Sequence, residues 1–288
     1  MSKTPGKIQI CATPIGNLGD VTKRLEEALA SADIIYAEDT RVASKLLSAL
    51  EMPKKPVKRL DENTMNSGLQ ELKADAEEGR NVAYVSDAGM PGISDPGMKI
   101  VELARNEVLD LEVLPGPSAA SLAYVYSGFD SPDFYFAGFL PRKEQQIIER
   151  LESLKNLQAA LIFYESPKRI IKSLEIVGNL LPNRNLCLCR ELTKLHEDII
   201  VGTAEEVKAN LLDKFSTPEQ VKGEICLVID ADNELEKADD DIKITKAQSF
   251  LKNLKGSNLS NKDKTKLLAK YLGLNKNTAY DLVLKEGK

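Results

Sequence analysis

The sequence predicts an α/β protein of two domains followed by a small helical domain. Three observations predict it. Short apolar runs alternate with amphipathic stretches over the first half of the chain, the order that builds a mostly parallel sheet. A turn-rich segment, SGFDSPD at residues 127–133, then separates that half from a second one whose strand-like runs fit a mixed sheet. Finally, the last stretch is helical in pattern and rich in lysine. The domain limits drawn from these features are residues 1–129, 133–231 and 242–288.

The elements follow in order. In the first half, strands are expected at residues 8–12, 33–37, 57–60, 81–85 and 111–114. Helices fall between and after them at 20–30, 40–50, 66–78, 95–105 and 117–126. Val21, Leu25 and Leu29 share one face of the first helix. Asp20 and Asp95 stand where N-caps are found, and Pro96 suits a first helical position. In the second half, strands are expected at 134–139, 161–164, 186–190, 198–201 and 224–229, with helices at 143–154, 167–181 and 204–212. The acidic segment DADNELEKADDD at 230–241 lacks periodicity and reads as a linker. Three helical segments end the chain, at about 245–254, 260–272 and 275–285. Gly273 lies between the last two, giving either a helix-turn-helix or a small bundle that only packs on the body.

Composition narrows the class. The 288 residues are 42% hydrophobic, enough to bury a core in each domain. No apolar run approaches the ~20 residues of a membrane span, and MSKTPGK lacks the apolar core of a signal peptide. A cytoplasmic protein without a membrane partner is expected. Cys11, Cys187, Cys189 and Cys226 all sit in apolar strand-like runs, as buried thiols do. Cys187 and Cys189 have the wrong spacing for zinc, and the chain has one histidine, so no metal site is expected. Charge is divided. Residues 243–288 hold eleven lysines against three acidic residues, a net +8, which leaves −13 for residues 1–242 of the total of −5. A basic tail on an acidic body points to a polyanionic partner.

Six loop motifs at strand ends could carry chemistry. SDAGMPGISDPG at 86–97 is the densest in glycine and proline. It suits a ligand read through backbone groups. Without lysine or arginine it is not built for phosphate, and its aspartates would tolerate a positively charged ligand. TPIGNLGD at 13–20 would wall a ligand with Pro14 and Ile15, but alone it also reads as an ordinary strand-to-helix turn. No G-x-G occurs in the chain, which counts against a Rossmann nucleotide site. Glu38-Asp39-Thr40-Arg41 reads most simply as a capped helix with a surface ion pair. LPGPSAA at 114–120 is a rigid turn whose helix begins at Ser118, a capped helix or a carboxylate site. YESPKR at 164–169 puts Lys168 and Arg169 in a first helical turn, where cations oppose the helix dipole unless a partner anion is present. RELTKLHE at 190–197 gathers ionisable side chains around the lone histidine, His196. A lone histidine is more often structural.

Together these motifs, with AEDTR, GFLPRK and KGEICLV in the same order, closely resemble the ribosomal RNA small subunit methyltransferase I family of the tetrapyrrole-methylase-like superfamily. The resemblance runs from about residue 8 to residue 229 and extends to the helical tail. It implies two α/β domains of the tetrapyrrole-methylase type with S-adenosylmethionine bound between them, a homodimer, and 2′-O-methylation of a cytidine ribose in the decoding region of 16S ribosomal RNA, free or in the small ribosomal subunit. Carried over by position, the donor would touch Pro14, Ile15, Asp87, Gly89, Met90, Pro91, Ser118, Ala119 and Tyr164. The chain departs from the family's usual pattern at Met90, commonly threonine, and at Lys168, commonly histidine. Asp61-Glu62-Asn63-Thr64 stands where a histidine-rich segment is common, so no base can come from there.

A ribose hydroxyl is a weak nucleophile, so a base or an alkoxide-stabilising cation should assist transfer. Glu191, Lys194 and His196 are the nearest candidates, with Glu165 behind them; the alternative is that they only position RNA. Arg41, Arg142, Lys143, Lys168, Arg169 and Lys194 are expected to rim the cleft and hold phosphates, and the helical tail to add RNA affinity. Two rival functions fit the same features. One is a methyltransferase of a small tetrapyrrole, and the other a DNA-binding regulator that uses the helix-turn-helix.

Overall fold

A computed structural model describes residues 5–231, 233–254 and 259–286, with side chains described outside 233–241 and Glu286. Its first sheet has strands β1 (Ile8–Cys11), β2 (Ile34–Ala37), β3 (Val57–Arg59), β4 (Val82–Val85) and β5 (Leu111–Leu114). All pair in parallel, in the order β3-β2-β4-β1-β5. Helices α1 (Lys23–Ser31), α2 (Thr40–Ala49), α3 (Met65–Glu77) and α4 (Gly97–Asn106) complete the crossovers.

The period of two along the strands sorts side chains to two cores. Cys11, Ile35, Ala37, Ala83 and Val85 meet α1 and α2 on one face. Ile8, Ile10, Tyr36, Val82 and Tyr84 meet α3 and α4 on the other. The strands are buried on both faces, so they read as unbroken apolar runs. Adjacent β1 and β4 therefore send their following helices to opposite faces. That divergence opens a crevice at their carboxyl ends, the place where such sheets bind ligands.

The second sheet is mixed, in the order β6-β7-β10-β8-β9. Its strands are β6 (Phe134–Phe139), β7 (Ala160–Glu165), β8 (Leu186–Arg190), β9 (Asp198–Gly202) and β10 (Ile225–Ile229). Only β6 and β7 are parallel. Helices α6 (Glu144–Leu154), α7 (Ile170–Leu180) and α8 (Ala204–Phe215) cover one face through Leu161, Phe163, Leu186, Leu188 and Leu227.

The opposite face is covered by α5 (Ala119–Ser127), which follows the last strand of the first sheet. Its Ala120 and Ala123 pack with Cys187, Cys189 and Cys226. Small side chains meet small side chains there, and α5 joins the two halves. All four cysteines are free and buried. Burial pushes the Cys11 and Cys226 thiols up to about 12, so both stay protonated and inert.

Several boundaries differ from the expectation for local reasons. Asp20 does not cap α1. Residues Leu18–Asp20 make an extra 3₁₀ turn, and Thr22 caps the helix through the Leu25 N–H. Asp95 does not cap α4 either; Pro96 occupies that position. The acidic stretch 230–241 is not an open linker. Helix α9 runs Asn233–Asn253, because Glu, Leu, Lys and Ala favour helix even without an amphipathic pattern. Helices α10 (Asn261–Leu272) and α11 (Lys276–Glu286) join it around Ala247, Leu251, Leu268, Ala279, Leu282 and Val283. Gly273 ends α10 at φ 67°, as a glycine C-cap does. The tail lysines Lys255 and Lys288 lie outside the described residues. Among the described residues no helix is long and apolar enough to cross a membrane.

Candidate functional site

A cleft of 520 Å³ opens between the two sheets. The first half contributes Ile15, Glu38, the loop after β4 and the start of α5. The second contributes Phe139, the end of β7, Leu192 and the start of β10. Because β10 runs antiparallel to β7 and β8, its amino end reaches the same edge as their carboxyl ends.

The loop after β4 is pinned at three points. Thr13 and Gly89 exchange backbone hydrogen bonds of 2.9 and 3.1 Å, tying it to the loop after β1. Asp95 accepts from the Gly92 N–H at 2.9 Å and the Gly97 N–H at 2.8 Å. Asp87 accepts from the Asp39 N–H at 3.1 Å. Asp95 thus closes the loop on itself. Gly89 has φ 78°, and a Cβ there would stand 3.1 Å from Ile15 Cγ2. Glycine is required both for the turn and for the close approach.

The described walls carry Glu38, Asp87, Asp95, Glu165 and Glu224 and no lysine or arginine. Burial, followed by repulsion from Asp87 and Asp95, holds the Glu38 carboxyl above the usual range. Burial also raises Asp87, opposed by the hydrogen bond it accepts from the Asp39 N–H and helped by the Asp39 charge. Among the described residues neither carboxylate has a cation in ion-pair contact. Glu165 differs. It is 2% exposed, pairs with Arg169, and accepts from Ser173 Oγ at 2.7 Å and the Ser166 N–H at 2.6 Å.

Of the residues expected to touch a donor, Ile15, Asp87, Gly89, Met90, Ser118, Ala119 and Tyr164 line the cleft; Pro14 and Pro91 do not. Burial pushes the Tyr164 hydroxyl up to about 12. Of the expected catalytic group, Glu165 lines the cleft with its carboxylate already committed. Glu191 and Lys194 stand behind a residue the sequence did not single out, Glu224. Lys194 Nζ lies 2.9 Å from Glu191 and 3.0 Å from Glu224, which lines the cleft. His196 is exposed and outside the wall.

The loop from β8 to β9 is strained where this cluster sits. Glu191 and Thr193 hold φ of 53° and 67°. Non-glycine residues in that region cost on the order of 1–3 kcal/mol each. The Glu224 N–H donates to Glu191 at 2.8 Å, and the Thr193 N–H to Glu197 at 2.6 Å, which hold the shape. The loop meets the first half at Gly16, where an added Cβ would stand 2.3 Å from Lys194 Cγ.

The expected phosphate ligands divide. Arg142, Lys143 and Lys168 are exposed. Arg41 is exposed and paired with Asp39, the N-cap of α2. So EDTR is a capped helix as its simplest reading has it, while Glu38 turns into the cleft. Arg169 is a correction. Helix α7 begins after it, at Ile170, and its guanidinium donates to the Leu140 and Pro141 carbonyls beside Glu165. The anion facing that cation is internal.

Glu38, Glu224, Leu192 and Phe139 complete the wall without having been picked from the sequence. Glu38 and Phe139 do lie within recognised motifs. Leu192 and Glu224 lie within RELTKLHE and KGEICLV, but only sheet pairing brings them to the cleft edge.

A crevice at the switch point of one sheet, roofed by a mixed second sheet, with a glycine-proline loop and carboxylates in its described walls, defines a two-domain α/β protein that holds a small cationic ligand between its sheets. Residues 7–208 match the family of Tetrapyrrole (Corrin/Porphyrin) Methylases. The fold resembles a diphthine synthase (TM-score 0.62, 12% identity, 78% of this chain and 90% of that one) and the methyltransferase CobJ (TM-score 0.57, 20% identity, 78% and 94%). Relatives named ribosomal RNA small subunit methyltransferase I are closer in sequence. That of Halalkalibacterium halodurans is 42% identical over 80% of this chain and 77% of its own. That of Haemophilus influenzae is 36% identical over 99% of this chain and 98% of its own. The chain belongs to the ribosomal RNA small subunit methyltransferase I family within the tetrapyrrole methylases.

It is accordingly an S-adenosylmethionine-dependent methyltransferase. The residues present fit that donor. The cleft volume lies within the range of about 300–1,000 Å³ usual for small-ligand sites. Its unpaired Glu38 and Asp87 suit a sulfonium and an ammonium, and Gly89 gives backbone access.

Proposed function

We propose that this protein methylates the ribose 2′-oxygen of a cytidine in the decoding region of 16S ribosomal RNA, in the cytoplasm and as a homodimer. The observation that supports it most is the match to the Haemophilus influenzae relative over nearly the whole of both chains, helical tail included. A small-tetrapyrrole substrate has behind it the broader family match over residues 7–208 and a fold likeness to CobJ at 20% identity, whereas the relatives 36–42% identical are named for ribosomal RNA.

When bound, the donor supplies a methyl carbon made electrophilic by its sulfonium sulfur. Transfer to the ribose oxygen would form the O–C bond as the S–C bond breaks and would leave the hydroxyl proton for groups of this chain to take up. At the cleft mouth Glu224 takes up that proton, directly or through water, and Lys194 holds the developing negative oxygen. Glu191 keeps Lys194 in place through its 2.9 Å contact. Holding the ribose against the methyl carbon provides much of the rate.

Arg41, Arg142, Lys143 and Lys168 hold phosphates around the cleft, and His196 extends that surface. The tail contributes Lys262, Lys266 and Lys270, exposed at i, i+4 and i+8 of α10 and so on one stripe. For the dimer, Val125 and Leu195 are 74% and 94% exposed on the two segments joined by the Tyr126–Glu197 hydrogen bond. Sedimentation velocity reads that state directly.

The substrate is tested by tritium transfer from labelled donor. Label in small-subunit RNA and none in a porphyrinogen is expected; the reverse would overturn the proposal.

A further inference from the structure

Strand β6 carries an irregularity that the donor site does not need. Phe136 pairs with Ile162, but Phe139 pairs with Tyr164, so three steps on β6 match two on β7. One extra residue is inserted, and Gly138 takes φ 74° within it. Nothing lies within 4 Å of a Cβ added at Gly138, so the backbone angle, not crowding, calls for glycine there.

The consequence is a change of face. In a regular strand, residues three apart point to opposite sides. The bulge turns Phe139 to the side of Phe136, and bulges beside active sites commonly re-aim a side chain in this way. Both rings now stand edge-on to Tyr164, with centroids 4.9 and 5.5 Å away. Phe136 is partly buried, whereas Phe139 is 59% exposed and lines the cleft. Three and four residues later come Arg142 and Lys143, both exposed. An open aromatic face at a cleft mouth, followed closely by two cations, is the arrangement that stacks a base and holds the adjoining backbone.

We infer that Phe139 is the stacking platform for the base of the target nucleotide, swung out of its strand, with Arg142 and Lys143 on the flanking phosphates. The inference rests on the RNA reading above and deepens it. It makes Phe139 a positioning residue for the ribose, and it requires an unpaired or flipped nucleotide as substrate.

The test uses the full chain and a small-subunit RNA fragment containing the nucleotide that the unmodified protein methylates. A second fragment has an abasic ribose at that position. Affinity is measured for both with the unmodified protein, Phe139→Leu and Phe139→Trp, and donor affinity is measured by calorimetry. Removing the base should weaken binding by about five- to a hundredfold for the unmodified protein and Phe139→Trp, the range of one base–aromatic stack. Phe139→Leu should bind both fragments alike, at the abasic level, and because the ring also lines the cleft any loss of donor affinity should be smaller than the loss of affinity for the base-bearing fragment.

Undiminished sensitivity of Phe139→Leu to the missing base would overturn the inference. So would an equal loss of donor affinity, which would make Phe139 a donor wall, or conversion of a dimer to a monomer, which would give the ring to a second copy. If the unmodified protein binds donor yet methylates no RNA, the RNA reading itself falls and takes this inference with it. That result precedes any comparison of variants, so the two failures are distinguishable.

Discussion

Thr13 and Gly89 form a reciprocal backbone pair, N–H to carbonyl in both directions, between the loops that follow β1 and β4. These are the strands whose helices diverge, so the pair fixes the geometry of the crevice between them. A side chain at Gly89 attacks that pair twice, through its φ of 78° and through the 3.1 Å approach to Ile15. Gly89→Ala should lower stability by about 1–2 kcal/mol, the cost of left-handed backbone for a residue with a Cβ. Donor affinity should fall with it. Denaturant unfolding and calorimetry measure the two.

Glu165 and Arg169 predict a loss of stability first. The Glu165 carboxylate is buried and Arg169 keeps some water access. Glu165→Ala should cost about 3 kcal/mol, the low end of the range for breaking a buried pair. Methyl transfer by the folded fraction should survive. Normal stability with abolished single-turnover transfer would show that Glu165 acts in the chemistry instead.

Glu38 and Asp87 predict a pH dependence. Both have folded-state pKa values above their ordinary 4.5 and 3.8. Between the ordinary and raised values the folded protein binds more protons than the unfolded chain. Stability contributed by these groups therefore falls as pH rises through that window and stays lower above it. Glu38→Gln should match the unmodified protein below the window and exceed it at neutral pH. Donor affinity should run the other way, rising as the carboxylates ionise. Thermal unfolding and calorimetry across mildly acid to neutral pH check both signs.

Lys194 sits between Glu191 and Glu224, and its removal separates chemistry from binding. Lys194→Ala should lower the single-turnover rate with RNA saturating by about 10²-fold, within the range for one acid–base or electrostatic group. Loss confined to RNA affinity would reduce the cluster to a positioning role.

The stripe of Lys262, Lys266 and Lys270 predicts a salt effect. Replacing all three by alanine should reduce the slope of log affinity against log salt by about 2, at roughly 0.7–0.9 per phosphate contact. An unchanged slope would assign the tail bundle to structure or to another partner.

Much of this was legible in the chain. Apolar runs such as those around Ile34–Ala37 and Leu186–Arg190 marked strands because both sheets are covered on both faces. The loop at 86–97 marked the cleft because its density of glycine and proline at a strand end exceeds what starting α4 at Pro96 requires. What stayed hidden depends on pairing between distant segments. Glu224 reaches the cleft only because β10 runs against its neighbours, and Arg169 turns inward only because Glu165 is buried beneath it. The misplaced caps have local causes: Asn17 caps a 3₁₀ turn that ends at Asp20, and the Asp95 carboxylate closes its own loop.

The central claim is that this cleft delivers a methyl group to one ribose of small-subunit RNA. Nucleoside mass spectrometry of that RNA, incubated with and without the protein and donor, tests it most directly. 2′-O-Methylcytidine is expected only with the protein, at one site. RNA of unchanged nucleoside composition, under conditions where calorimetry shows the donor bound, would contradict it.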